Sequence, residues 1–366
     1  MLEAPNIPLE VIAGVLRDHY RIETASIRFL PIGNDARSFV YCADDVEGRR
    51  HFVKLRVMEG VGESHGAPPG GLSTESADTT YTRCLLVTRT LRDVGIHEVV
   101  APVPASSGAL GVPLSSSTGV QRGNFMLIVY PYIDGDSAMN VGMTATQWHM
   151  HGRALARVHG TRLPDALRNQ LREETYLPMS LGFLRKLHAR ILAGDVVSEG
   201  LGQALTFWRD HVDTIKHVMN FAEACGAALR TRDLPNVLVH ADIHTANVMV
   251  DRSGALHYVD WDGPMLAPRE RDLKFAIGTS VGDPTTVSGA GPAQEAAFLR
   301  GYGIDRVDQD ALTYYRYEWV VEDLAAYGND VFLRSDIGAI SRAAAFNGLR
   351  QMFAVGDVVE LALRSA

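Results

Sequence analysis

The stretch His240-Ala241-Asp242-Ile243-His244-Thr245-Ala246-Asn247 decides how the rest of the chain is read. An apolar, β-branched run, Asn236-Val-Leu-Val-His240, enters it, and Asn247-Val-Met-Val250 leaves it. Both read as short strands, Asp251-Arg-Ser-Gly254 reads as a turn, and Leu256-His-Tyr-Val-Asp260 reads as the returning strand. The pattern is therefore strand, polar loop, strand, turn, strand, carboxylate. On such a frame Asp242 can reach a hydroxyl and accept or orient its proton. Asn247, five residues on, turns back from the same loop with one neutral oxygen. Asp260 adds a charged oxygen at the end of the next strand. A neutral and a charged oxygen suit Mg²⁺, which takes hard oxygen ligands and fills its remaining positions with water and phosphate oxygens. These are the parts that phosphoryl transfer from a nucleotide requires.

A zinc site competes for the same residues, because His240 and His244 are four apart. That reading needs a helix to bring both imidazoles to one face and a Glu directly after the first His. Here Ala241 follows His240 and the flanks are strand-like. The expectation is that His240 is a buried histidine bracing the loop and that His244 stands near the substrate.

The chain has 366 residues, 46% of them apolar, enough for a large core divided between two lobes. No apolar run approaches transmembrane length, the first residues lack a secretory pattern, and Cys42, Cys84 and Cys225 are scattered. A reduced cytoplasmic setting without membrane contact is expected. The net charge of -8 argues against a nucleic-acid partner held through phosphates and is compatible with a cationic small substrate.

Working outward, residues 7 to 19 read as an amphipathic helix, and residues 26–30, 38–42 and 51–57 as strands of an antiparallel meander. Between the first two strands lies Pro31-Ile-Gly-Asn-Asp-Ala-Arg-Ser38. Gly33, Asn34 and Ser38 could turn backbone N–H groups toward phosphates, although a plain hairpin turn explains the stretch equally well. Lys54 sits mid-strand between Val53 and Leu55, where a phosphate-pairing lysine belongs. Residues 59 to 80 are rich in Gly, Ser, Pro and Thr and read as a long loop. The helix that follows, residues 81 to 94, carries no Glu to hold that lysine; Glu75 and Asp78 are the nearest acids. Phe125-Met-Leu-Ile-Val-Tyr130 is an apolar strand running into Pro131-Tyr-Ile-Asp-Gly135, which reads as a hinge. Beyond residue 146 the pattern is mainly helical.

These segments together resemble the aminoglycoside phosphotransferase family, small-molecule kinases related in fold to protein kinases. The likeness is carried by His240-Ala-Asp-Ile-His-Thr-Ala-Asn247, Asp260-Trp-Asp-Gly-Pro-Met-Leu-Ala-Pro-Arg-Glu-Arg-Asp-Leu273, Gly301-Tyr-Gly303 and Tyr315-Arg-Tyr-Glu-Trp-Val-Val-Glu-Asp323. It implies an α+β, bilobal, protein-kinase-like fold: an N-terminal antiparallel-sheet lobe over residues 1–130 and a larger, mostly helical lobe over residues 131–366, with residues 131–135 as the hinge. It implies ATP and Mg²⁺ as cofactors, Asp242 as the catalytic carboxylate, and Asn247 and Asp260 as metal ligands. Lys54 would meet the nucleotide phosphates, Tyr130, Tyr132 and Ile133 would line the adenine pocket, and Asp272 would pin the catalytic loop. Read without the resemblance, Asp272 is an acid complementing a helix N-terminus.

The acceptor is expected between this loop and the C-terminal helices. Glu318, Glu322 and Asp323 fall at i, i+4 and i+5, so Glu318 and Glu322 share one helix face, and as a cluster they would suit an amine. Asp262 is expected to border the acceptor too, whereas Trp261 reads equally as core. The expected activity is phosphorylation of a hydroxyl on an aminoglycoside or aminocyclitol such as spectinomycin. A metabolite kinase acting on a sugar, choline or an amino alcohol stays open, as does a non-catalytic nucleotide binder.

Overall fold

The computed structural model describes residues 4–32, 38–58, 77–115, 124–196, 200–279, 290–335 and 337–366. The N-terminal part comprises α1 (Leu9–Tyr20), β1 (Thr24–Leu30), β2 (Ser38–Asp45), β3 (Arg50–Val57), α2 (Ala77–Asp93), β4 (Val112–Ser115) and β5 (Asn124–Pro131). Its five strands form one antiparallel sheet in the order β1-β2-β3-β5-β4. Successive side chains on a strand point to opposite faces, and that alternation divides the sheet's duties. Val53, Leu55, Leu127 and Val129 pack with Ile12 and Leu16 of α1 in one core. Ile128, with Met126 and Tyr130, packs on the other face against Tyr81 and Leu85 of α2. Lys54 is opposite Ile128 in the register, so Lys54 and Arg56 point to the α2 face. Burying each such aliphatic side chain contributes roughly 1.5–3 kcal/mol, which makes this face assignment costly to invert.

The chain then continues through β6 (Gly135–Ser137), α3 (Ala138–Val141), α4 (Ala145–His159), α5 (Asp165–Arg168), α6 (Leu181–Ala193), α7 (Gly202–Asp210) and α8 (Val212–Leu229). Next come β7 (Val237–Val239), a 3-10 turn (Thr245–Asn247), β8 (Val248–Asp251), β9 (Leu256–Tyr258), β10 (Met265–Ala267) and α9 (Glu270–Leu273). Four helices follow, α10 (Pro292–Tyr302), α11 (Gln309–Phe332), α12 (Ala339–Gln351) and α13 (Val358–Arg364). The overall arrangement is an antiparallel sheet in the N-terminal part followed by a mostly helical remainder. Short antiparallel ladders, β7 with β10 and β8 with β6 and β9, hold the loop segments on the helical part.

Two contacts fix the scaffold behind those loops. Thr144 accepts from the Gln147 backbone N–H while the Gln147 side chain accepts from the Thr144 N–H, a reciprocal cap that starts α4 where the sequence places it. Gly152 on α4 and Gly301 on α10 leave no room for a side chain: a Cβ at either would meet backbone oxygen near 2 Å. The two helices therefore pack backbone to backbone, which brings His159 of α4 beside Tyr302 of α10, with Nδ1 2.6 Å from the hydroxyl. Among the described residues no helix is long and apolar enough to cross a membrane.

Candidate functional site

The catalytic-loop candidate is built around one buried carboxylate. Asp272 on α9 accepts the backbone N–H groups of His240 at 2.8 Å and Ala241 at 2.7 Å, and its other contact is His159 Nε2 at 3.0 Å. These bonds hold its carboxyl below the usual carboxylate range although burial, the larger single influence, pushes it up. They also hold Ala241 in the left-handed region at φ 76°, a conformation that costs a non-glycine residue roughly 1–3 kcal/mol. The bend this makes turns Asp242 out of the strand direction. Its side chain is 59% exposed.

His240 donates through Nε2 to the Val259 carbonyl at 3.0 Å, which leaves Nδ1 to accept the Asp242 N–H at 3.3 Å. Its ring packs on Trp261, 4.4 Å between centroids, and Trp261 is itself core. Asn247 donates its side-chain N–H to the Asp242 carbonyl at 2.8 Å and to its carboxylate at 3.3 Å. With the amide nitrogen committed in that way, Oδ1 is the atom left for a cation. The Val259 N–H donates to the Asn247 carbonyl at 3.0 Å, so the loop also fixes the segment that ends in Asp260. Asp260 is again left-handed, at φ 60°, with a side chain 47% exposed. An amide oxygen beside one open carboxylate fits Mg²⁺ completed by phosphates and water. The two imidazoles do not converge as a zinc pair, because each has its own hydrogen bonds. Among the described residues no group of three or more His, Cys, Asp or Glu side chains could hold a metal by itself.

His244 caps the 3-10 turn, accepting the Ala246 N–H through Nδ1 at 3.2 Å. Its Nε2 lies 3.6 Å from Asp242 Oδ2. Burial pulls the imidazole down, but the charge of the nearby Asp242 outweighs it and raises its pKa. In return, and against the partial desolvation of the loop, which acts the other way, His244 lowers the Asp242 carboxyl. Asp242 thus stays ionised without a bound cation.

Lys54 reaches this site from β3. It is 8% exposed, and its Nζ lies 3.2 Å from Asp260 Oδ1 and 3.0 and 3.2 Å from the two oxygens of Asp262. Burial opposes the charge, yet the two carboxylates raise the ammonium pKa well above its ordinary value. Ser38 starts β2 opposite Arg56 in the register and is buried. Gly33 and Asn34, expected to fold over phosphates, lie outside the described residues, as does the 59–76 part of the loop expected at 59–80. Tyr130 ends the β5 face toward Tyr81, and burial raises its phenol. Tyr132 and Ile133 follow in the connector, with the Arg50 guanidinium 4.4 Å over the Tyr132 ring.

Three expected acceptor contacts go elsewhere. Glu318 is 4% exposed and faces the protein interior, with Arg271 Nη1 at 2.7 Å; the same nitrogen meets Glu174 at 2.8 Å. Glu322 accepts from the Ser180 N–H at 3.1 Å and from its hydroxyl at 2.5 Å, at the start of α6. Asp262 is held by Lys54 and by Arg56 Nη1 at 3.0 Å. Helix spacing put Glu318 and Glu322 on a common face but could not say that this face is covered by α6 and α9.

Two residues stand beside the loop: Asp323, expected only as part of the carboxylate cluster, and Lys274, which the sequence did not single out. Asp323, one turn beyond Trp319, lies within electrostatic reach of Asp242, His244 and Lys274, and burial followed by the Asp242 charge raises its carboxyl to about 7. Lys274 is 3% exposed, with Nζ 4.5 Å from the Phe275 ring centre and 5.9 Å from that of Trp319. Burial, aided by Arg271, lowers it to about 8. Phe275 bridges Trp319, at 4.8 Å, and His244, at 5.9 Å, so this face of α11 leads to the candidate catalytic loop. The i, i+4 relation of Trp319 to Asp323 was the available signal, but it acquires meaning only once Phe275 is placed.

Comparison with solved structures extends this geometry. Spectinomycin phosphotransferase APH(9)-Ia, in complex with ADP and spectinomycin, is 29% identical with a TM-score of 0.75, covering 99% of this chain and 99% of that one. The amicoumacin kinase hAmiN shares the fold at 17% identity and TM-score 0.58, over 94% of this chain and 93% of its own. A Plasmodium vivax ethanolamine kinase does so at 13% and 0.53, over 94% and 87%. No curated protein matches the chain. A family model described as the phosphotransferase enzyme family, APH, matches residues 87–317, more than half the chain, and takes in both the catalytic loop and α9. This chain belongs to that family of phosphotransferases.

Proposed function

We propose that this protein transfers the γ-phosphoryl group of ATP, with Mg²⁺, to a hydroxyl of a small cationic molecule, an aminocyclitol such as spectinomycin being the first candidate. The observation that carries the reading is the meeting of Asp242, Asn247, Asp260 and Lys54 at one locus from three separate segments. The acceptor oxygen bonds to the γ-phosphorus, the bond to the bridging oxygen of ADP breaks, and the hydroxyl proton passes to Asp242. His244 and the Asp272-held bend keep that carboxylate ionised and aimed. Asn247 and Asp260 would hold Mg²⁺, which neutralises charge on the phosphates. Lys54 binds the phosphates from the sheet side, and Ser38, Tyr130, Tyr132 and Ile133 border the nucleotide. Residues 1–130 serve the nucleotide and residues 131–366 the chemistry and the acceptor.

The relative solved with ADP and spectinomycin supports both substrates, since it aligns end to end with this chain. The Asp323 carboxylate beside the loop also suits the amine of an amino alcohol, so an amino-alcohol kinase is the second reading. A coupled assay of ADP release with Mg²⁺-ATP, run with and without spectinomycin, tests the proposal. Spectinomycin-dependent release supports it. Nucleotide binding without stimulation rejects spectinomycin and moves the assay to amino alcohols.

A further inference from the structure

A buried ammonium that must meet phosphates needs a carboxylate to hold it charged and in place. Helix α2 packs on the face of the sheet that bears Lys54; residues 77–93 contain no Glu, and the side chain of Asp78 lies outside the described ones. Among the described side chains of α2, the Tyr81 ring is set against Lys54, its centre 5.7 Å from Nζ. The carboxylate comes from across the cleft. Asp262 meets Nζ with both oxygens, at 3.0 and 3.2 Å, while Asp260 uses one oxygen at 3.2 Å.

Asp262 is fixed in turn. Arg56, two residues beyond Lys54 on the same strand face, donates to Asp262 Oδ2 at 3.0 Å and lies 4.2 Å over the Tyr81 ring. The Cys84 thiol of α2 is 3.4 Å from the Asp262 carbonyl. Two cations therefore face two carboxylates, with the aromatic side of α2 behind them. The carboxylates differ in surroundings: the Asp262 side chain is 29% exposed and that of Asp260 47%. The more open one can turn to a cation while the other keeps Lys54 paired.

We propose that Asp262 is the positioning partner of Lys54, supplying a paired carboxylate from the segment after β9, with Arg56 and Tyr81 holding Asp262 in register. This rests on the nucleotide-binding role proposed for Lys54. Asp262 acts through Lys54, so its effect must vanish when Lys54 is gone, whereas a metal ligand would act independently of Lys54.

The test is Mg²⁺-ADP affinity by calorimetry on the full chain, where no turnover intrudes, for wild type, Asp262→Asn, Lys54→Met and the double variant. Asp262→Asn should weaken binding about tenfold. The double variant should bind no more weakly than Lys54→Met, and Asp262→Glu should recover part of the loss. Asp262→Glu also serves if Asp262→Asn proves unstable by melting temperature. Unchanged or tighter binding by Asp262→Asn would overturn the proposal. So would additive losses in the double variant, or a defect cured by raising Mg²⁺. Wild-type binding without that coupling defeats this inference alone. No binding by wild type defeats the nucleotide reading and takes this proposal with it.

Discussion

The catalytic loop and the acidic stretch of α11 both supply carboxylates near one site, but they do so by different means. In the loop, Asp242 and Asn247 are bonded to each other, and the bend just before Asp242 is held by Asp272. On α11, Glu318, Glu322 and Asp323 are just as close in sequence, yet they have three destinations: Arg271, Ser180 and the neighbourhood of Asp242. A hydrogen-bonded loop carries its geometry within its own residues. A helix fixes only the angles between its side chains, and the packing around it decides which of them meets substrate. If that contrast holds, loop substitutions should cost chemistry and α11 substitutions should separate into stability and acceptor effects.

The largest effect is expected at Asp242. Asp242→Asn should lower kcat by about 100- to 10,000-fold, the range of a positioned proton acceptor, with nucleotide affinity and melting temperature near wild type. Near-native turnover would remove the distinction between loop and helix altogether. Asp272 comes next, because it joins chemistry to stability. Asp272→Asn removes a buried charge from two backbone N–H groups and His159, and should cost about 3–5 kcal/mol in urea unfolding together with most activity. The folded carboxyl is depressed below its unfolded value. Its contribution is therefore full above the unfolded pKa of about 4 and fades as pH falls through the folded value. The gap between wild type and Asp272→Asn should narrow only in that acid range.

The legibility of the sequence follows the same division. The order strand, loop, strand, turn, strand was readable because β7, β8 and β9 are apolar runs bounded by turn residues, and the loop residues satisfy one another. The meander of β1 to β3 was readable from apolar runs parted by turn residues, and Lys54 was singled out by its place in the third of those strands. The partner of Lys54 was not, because Asp262 lies 208 residues away in sequence and reaches it only through the closed fold. The short strands β4, β6 and β10 went unread, since three or four residues leave no periodicity to detect. Asp323 was legible only as a member of the cluster with Glu318 and Glu322, because the contact that sets it apart runs through Phe275, outside its own helix.

Glu318 tests the covered side of α11. Glu318→Gln leaves Arg271 buried with Glu174 as its remaining carboxylate, so the loss should be about 2–3 kcal/mol of stability, below that of a fully orphaned charge. The KM for the acceptor should not move. A raised KM with unchanged unfolding would mean that this face opens to substrate after all.

Asp323 tests the other side and should give the smallest effect. Its carboxyl is raised to about 7, so the fold favours the protonated form and the charged form is a burden to the fold at higher pH. The penalty begins above the unfolded pKa of about 4 and is complete above about 7. Because the side chain is only partly enclosed, Asp323→Asn should gain about 1 kcal/mol of stability at pH 8 and almost nothing at pH 4. The acceptor should respond in the opposite sense. At pH 8 wild-type Asp323 is charged and attracts an ammonium, so Asp323→Asn should raise the acceptor KM several-fold with kcat little changed. At pH 6 the wild-type carboxyl is itself mostly neutral, and the two KM values should converge. A KM difference independent of pH would make Asp323 a hydrogen-bonding contact rather than a charge, and none at either pH would place acceptor recognition away from α11.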